Sequence, residues 1–262
     1  MLKLRVASAM VALPLVVLLI WAGEWWYASV VALILFVATL EFQNARGTWL
    51  QPLAFVSAGL SAFLAIAAHL GLDWMTWVVT GLVVIPLLWI TFTSETPTAL
   101  TDWLWTAGAV LYLGWLGSHL VLLRDVADGR DWVYLTVFSV FATDTAAYFG
   151  GRAFGRRALA PSISPGKTVE GALFGFAAGL AAVLLFNYFL GLRKEAALIV
   201  PLALLLPLAA QLGDLVESKL KRSMEIKEAS YLIPGHGGLM DRLDSILLTV
   251  VVVYYYLTWV LP

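Results

Sequence analysis

Residues 235–260 read "GHGGLMDRLDSILLTVVVVYYYLTWV", an abrupt change from glycine and charge to an apolar run long enough to cross a bilayer. A hydrocarbon core of about 30 Å takes roughly 20 apolar residues of helix, so the run predicts a final membrane span over 245–261. The chain as a whole repeats that pattern. Of its 262 residues 61% are hydrophobic and 13% charged, and its mean hydropathy is +0.89. Soluble domains are closer to a quarter charged, so this is the composition of an integral membrane protein. A net charge of −1 gives no field that would favour nucleic acid. The absence of cysteine excludes disulfides and thiolate metal sites.

Working outward from the last span, comparable runs occur at 6–22, 25–42, 51–71, 74–92, 102–123, 131–150, 169–192 and 195–213. The expected fold is therefore an all-α, polytopic helical bundle of about nine transmembrane helices, a single membrane domain over 1–262. The N-terminal run lacks a small-x-small cleavage site and reads as a retained span rather than a signal peptide. Trp25, Trp26, Trp74, Trp77, Trp103, Trp105, Trp132 and Trp259 fall near the expected span ends, at headgroup level. With nine spans, Lys3, Arg5, Arg46, Arg152, Arg156, Arg157, Lys167, Lys219, Lys221, Arg222, Lys227 and Arg242 lie on one side. Only Arg124, Arg130, Arg193 and Lys194 lie on the other. That asymmetry places the basic side, and both polar segments described next, in the cytoplasm.

The first polar segment, "DTAAYFGGRAFGRRALAPSISPGKTVEG" at 144–171, joins Asp144 to basic side chains and a Gly/Pro/Ser-rich loop suited to phosphate. Its "SPGKT" is not a Walker loop, because Pro161 stands where that motif requires glycine. In the second segment, 211–245, Asp214, Ser218 and Lys221 follow i, i+4, i+7 spacing and share a helix face. Asp241 and Asp244 are spaced i, i+3 at the start of the last helix. Together they can bind a divalent cation, and hard oxygen donors without cysteine favour Mg²⁺. The competing reading is that these aspartates only favour the helix dipole while Arg242 snorkels. His236, flanked by glycines, is read either as a donor to pyrophosphate or a proton-transfer group, or as a residue that stabilises the turn. Glu41, an acid at the edge of the second span, carries no assigned role.

The stretch "SKLKRSMEIKEASYLIPGHGGLMDRLDS" at 218–245 resembles the signature of phosphatidate cytidylyltransferases, also called CDP-diacylglycerol synthases, and 144–171 resembles that family's other cytoplasmic segment. One position departs from the pattern, Glu228 standing where aspartate is usual. The resemblance implies condensation of CTP with phosphatidic acid to CDP-diacylglycerol and pyrophosphate, with Mg²⁺ required, at the cytoplasmic face of a bacterial inner membrane. It further implies Asp214, Asp241 and Asp244 at the metal, Lys167, Lys221 and Arg222 at phosphates, and Ser164 and Ser218 as hydrogen-bond donors to phosphate. Asp144 either supports the metal or pairs with a local cation. On this reading 144–262 is the catalytic part and 1–143 mainly scaffold, and a homodimer is compatible with the resemblance. A CTP-dependent lipid kinase and an anion transporter are the alternatives; the first would release CDP, the second would carry charge near the midplane of both halves.

Overall fold

The computed structural model describes residues 2–45, 47, 51–93, 99–232 and 237–260. The chain is helical almost throughout: α1 (Leu2–Ala22), α2 (Glu24–Asn44), α3 (Pro52–Leu70), α4 (Leu72–Thr93) and α5 (Ala99–Ala109) come first. A π turn over Val110–Trp115 leads without a break into α6 (Leu116–Asp125). Then follow α7 (Gly129–Phe154), β1 (Ala158–Ala160), β2 (Ser164–Thr168), α8 (Val169–Phe189), α9 (Ala196–Ser223) and α10 (Met240–Val260). Among the described residues seven stretches are long and apolar enough to span a membrane: α2, α3, α4, the run Ala99–Asp125, α8, α9 and α10. The expected count of nine is therefore approximate. α1 offers only the shorter apolar stretch Ala12–Ala22, and α7 carries Arg130, Asp131, Asp144 and Arg152 along its length.

Two compact units divide the chain, one of residues 1–125 with 228–241, the other of 126–227 with 242–262. In the first, helical hairpins turn on glycine. Gly23 (φ 63°) joins α1 to α2 and Gly71 (φ 122°) joins α3 to α4, both in backbone conformations that only glycine adopts without strain. α2 and α3 pack together, and both bury small side chains completely, Ala28 and Ala38 on α2 and Ala58, Ala65 and Ala67 on α3. Gln43 Nε2 donates to Ser57 Oγ between them at 2.9 Å. Lipid tails are as apolar as leucine, so such helices associate through close packing and hydrogen bonds rather than through a hydrophobic driving force.

The second unit uses the same device more densely. Gly171, Gly175 and Gly179 recur every fourth residue along α8 and let α7 approach to backbone contact. A methyl group at Gly175 would sit 2.8 Å from both Ala147 Cβ and the Thr143 carbonyl oxygen. At the start of α8 the Thr168 hydroxyl accepts from Gly171 N–H, a side-chain cap. The antiparallel hairpin β1–β2 pairs Ala158 with Thr168 and Ala160 with Ser164, so "SPGKT" is a strand delivering its lysine just before a helix. Glu170 Oε2 accepts from the backbone N–H groups of Arg156 and Arg157 and ties the hairpin to α8. α10 packs beside α9, where Tyr256 donates to the Leu198 carbonyl at 2.6 Å. A side chain at Gly213 would collide with the Asp244 carbonyl oxygen, so glycine there lets the two helices meet at an acidic residue.

Candidate active site

Within the second unit α7, β2, α9 and α10 each contribute a charged side chain to one place: Asp144, Lys167, Asp214 and Asp244 respectively. Lys167 Nζ lies 2.5 Å from Asp214 Oδ1, with both side chains roughly a quarter to a third exposed. Asp144 feels the repulsion of both Asp244 and Asp214, and Asp244 that of Asp214. Three mutually repelling carboxylates gather here, with the Lys167 ammonium in contact with Asp214 and the charges of Arg242 and Lys221 partly offsetting Asp244. A divalent cation or a further basic group would relieve that repulsion.

Ser245 organises two of these acids. It is buried, its backbone N–H donates to Asp244 Oδ1 at 2.7 Å, and its hydroxyl donates to Asp144 Oδ1 at 3.3 Å. Beside them opens a cavity of about 510 Å³, lined by Asp144, Tyr148, Arg152, Leu159, Lys167, Thr168, Gln211, Asp214 and the small residues Ala147, Gly151, Gly166, Gly171 and Ala172. Its wall thus mixes acid, base and apolar surface. Gln211 Nε2 donates to the Ala172 carbonyl and fixes α9 against α8 at the cavity wall.

The last turns of α9 hold the remaining cations. Lys221 Nζ pairs at 2.9 Å with Glu217, one turn earlier, whose carboxylate is fully buried. Arg222 donates through Nε to the Ile163 carbonyl and through Nη1 to the Ile226 carbonyl, joining the β-hairpin turn to the end of α9. Ser218 is half-buried one turn after Asp214, and Ser164 opens β2, also half-buried. Sequence reasoning passed over Glu217 and Ser245. Their signals were present: Glu217 stands i−4 from Lys221 and i+3 from Asp214, and Ser245 directly follows an aspartate.

Asp241 belongs to the first unit and is only 4% exposed. Its Oδ2 accepts from Gly238 N–H at 2.9 Å and from Ala229 N–H at 3.1 Å, joining Ala229 to the residues just before α10. Both bonds go to one carboxylate oxygen, at the first turn of α10. Glu41 in the same unit accepts from Ser230 Oγ and from the backbone N–H groups of Leu239 and Met240. His236 and Arg46 lie outside the described residues.

Among the described residues no group of three or more His, Cys, Asp or Glu side chains stands close enough to hold a metal ion by itself. Mg²⁺ does not need one. It usually keeps several waters and takes one or two protein carboxylates together with substrate phosphates. Asp144 and Asp244, oriented through one serine, are all-oxygen donors of the kind that ion prefers and fit it in chemistry.

The sequence model of the cytidylyltransferase family matches residues 3–260. A protein of Synechocystis sp. named phosphatidate cytidylyltransferase is 30% identical over 98% of this chain and 97% of its own length. One of the same name from Mycobacterium bovis is 31% identical over 97% of this chain and 87% of its own length. A third, from Bacillus subtilis, is 35% identical over a shorter alignment, 57% of this chain and 56% of that protein.

Proposed function

The chain belongs to the cytidylyltransferase family, and from that premise we propose that it transfers the cytidylyl group of CTP to phosphatidic acid, giving CDP-diacylglycerol and pyrophosphate. The observation that carries this is the meeting of Asp144, Lys167, Asp214 and Asp244 beside the cavity between α7, α8 and α9. In the reaction a phosphate oxygen of the lipid attacks the α-phosphorus of CTP. The bond from that phosphorus to the oxygen bridging it to the β-phosphate breaks, and pyrophosphate leaves with its electron pair. The lipid phosphate is itself the nucleophile, so no side chain need be acylated or phosphorylated.

What the protein must supply is proximity and charge neutralisation, since both reactants are anions. Lys167 and Arg152, in the cavity wall, suit phosphate oxygens. Lys221 and Arg222, at the end of α9, complete the basic set. Lys221 is held by Glu217, and Arg222 is braced against two backbone carbonyls. Asp144 and Asp244, with Asp214 beside them, would hold Mg²⁺. Bound there, the ion would neutralise CTP phosphate oxygens and favour the leaving pyrophosphate. Asp241, the third acid expected at the metal, accepts through Oδ2 from the backbone N–H groups of Gly238 and Ala229. The cytoplasm is the expected side, following the basic residues. The test is to incubate purified protein with CTP, phosphatidic acid and Mg²⁺ and to identify the products. CDP-diacylglycerol with pyrophosphate supports the reading, whereas CDP with a doubly phosphorylated lipid would mark a kinase.

A further inference from the structure

Glu41 is an acid near the end of a membrane-spanning helix, 7% exposed, and such a residue is costly unless it does something specific. Its hydrogen bonds say what it does. Oε1 accepts from Ser230 Oγ at 2.5 Å and from Leu239 N–H at 3.1 Å, and Oε2 accepts from Met240 N–H at 2.8 Å. Met240 is the first residue of α10, so a carboxylate from α2 satisfies N–H groups that the helix itself cannot. The glycines of the loop are shaped to this. A methyl group at Gly238 would lie 2.5 Å from Glu41 Oε2, so the missing side chain is the space the carboxylate occupies. Asp241, one residue further on, binds the same loop from the other end through Gly238 and Ala229.

We propose that Glu41 is a positioning residue for the reaction: it docks Ser230 and the Leu239–Met240 start of α10 onto α2, and so sets where the acidic start of α10 presents its side chains. The inference rests on the function proposed above. α10 runs unbroken from Met240 to Val260, so the placement of its first turn carries through to Asp244 one turn later. The negative charge is required as well as the shape. Glutamine offers one acceptor oxygen and an NH₂ donor, so one of the three donors would face another donor in a buried place.

The experiment compares Glu41→Gln, Glu41→Ala, Ser230→Ala and Gly238→Ala with wild type and with Arg193→Ala, in detergent. It reads kcat, KM for CTP, thermal midpoint, and hydrogen exchange of the peptide over 237–245. Glu41→Gln is expected to lower kcat at least about tenfold while KM for CTP stays within about twofold. Gly238→Ala should reproduce that loss and Ser230→Ala should give a smaller one. Exchange over 237–245 should quicken in all three, and Arg193→Ala should match wild type. A residue that served only stability would lower the midpoint and leave kcat of the folded enzyme unchanged, and that outcome overturns the inference. Unchanged exchange in Glu41→Gln overturns it too, independently of any activity. If Glu41→Gln does not fold, Gly238→Ala and Ser230→Ala carry the same comparison. If wild type itself makes no CDP-diacylglycerol, the functional reading fails, and the exchange measurement still decides whether Glu41 docks the start of α10.

Discussion

Replacing Lys167 with methionine keeps most of the side chain's bulk and removes its charge. In the structure that charge lies 2.5 Å from Asp214 Oδ1, and the two side chains are 26% and 30% exposed. Fully exposed pairs contribute at most about 1 kcal/mol. Breaking a fully buried pair costs about 3–5 kcal/mol. An intermediate value of about 2 kcal/mol corresponds to a roughly 30-fold loss in kcat/KM if the charge is needed in the transition state. Loss of the ammonium also removes the cation in contact with Asp214, which repels both Asp144 and Asp244. The assay is the initial rate of lipid product from labelled CTP, measured for Lys167→Met, Asp214→Asn and the double variant. Because the two side chains touch, their effects should not add, and the coupling should exceed about 1 kcal/mol. Strict additivity, or Lys167→Met within about twofold of wild type, would refute the reasoning.

Gly175→Ala forces a methyl group against the Thr143 carbonyl oxygen and Ala147 Cβ; it should destabilise by about 1–3 kcal/mol, read as a lower thermal midpoint. Gly108→Ala, with no neighbour within 4 Å, should leave the midpoint unchanged or raise it. The chain contains no cysteine, so single cysteines report topology cleanly. Placed at Arg156 and Lys227, they should be shielded from an impermeant reagent in intact cells, whereas one at Arg193 should be labelled; labelling of the first two from outside would reverse the orientation.

The helices were the legible part of the sequence, because a membrane span announces itself by length and apolarity alone. Each stretch from 25–42 to 245–261 meets a helix. The exceptions are informative. By length and apolarity 131–150 reads as a span, yet α7 carries four charged residues, and Asp144 among them lines the cavity. The hairpin over 158–168 reads as loop in the sequence, since three- and five-residue strands leave almost no periodic signal.

For the site, spacing along one helix was readable and pairing between helices was not. The sequence put Asp214, Ser218 and Lys221 on one face, but the i, i+4 partner of Lys221 is Glu217, and Asp214 takes its lysine from a strand. The i, i+3 relation of Asp241 and Asp244 suggested a shared role. Spacing gives no sign that Asp241 Oδ2 accepts from two backbone N–H groups, or that Ser245 bonds both Asp244 and Asp144. Glu41 was conspicuous as an acid at a span edge, but its partners lie nearly 200 positions along the chain, a distance at which no local pattern can point.

The most direct measurement follows products in detergent-solubilised protein given CTP labelled separately at the α- and γ-phosphates, phosphatidic acid and Mg²⁺, with Asp244→Asn alongside. Transfer of the α-label into lipid, with the γ-label released as pyrophosphate, is the predicted result. Asp244→Asn should lose that transfer by about a thousandfold while remaining folded. Appearance of the γ-label in lipid, or an Asp244→Asn enzyme as active as wild type, would contradict the account.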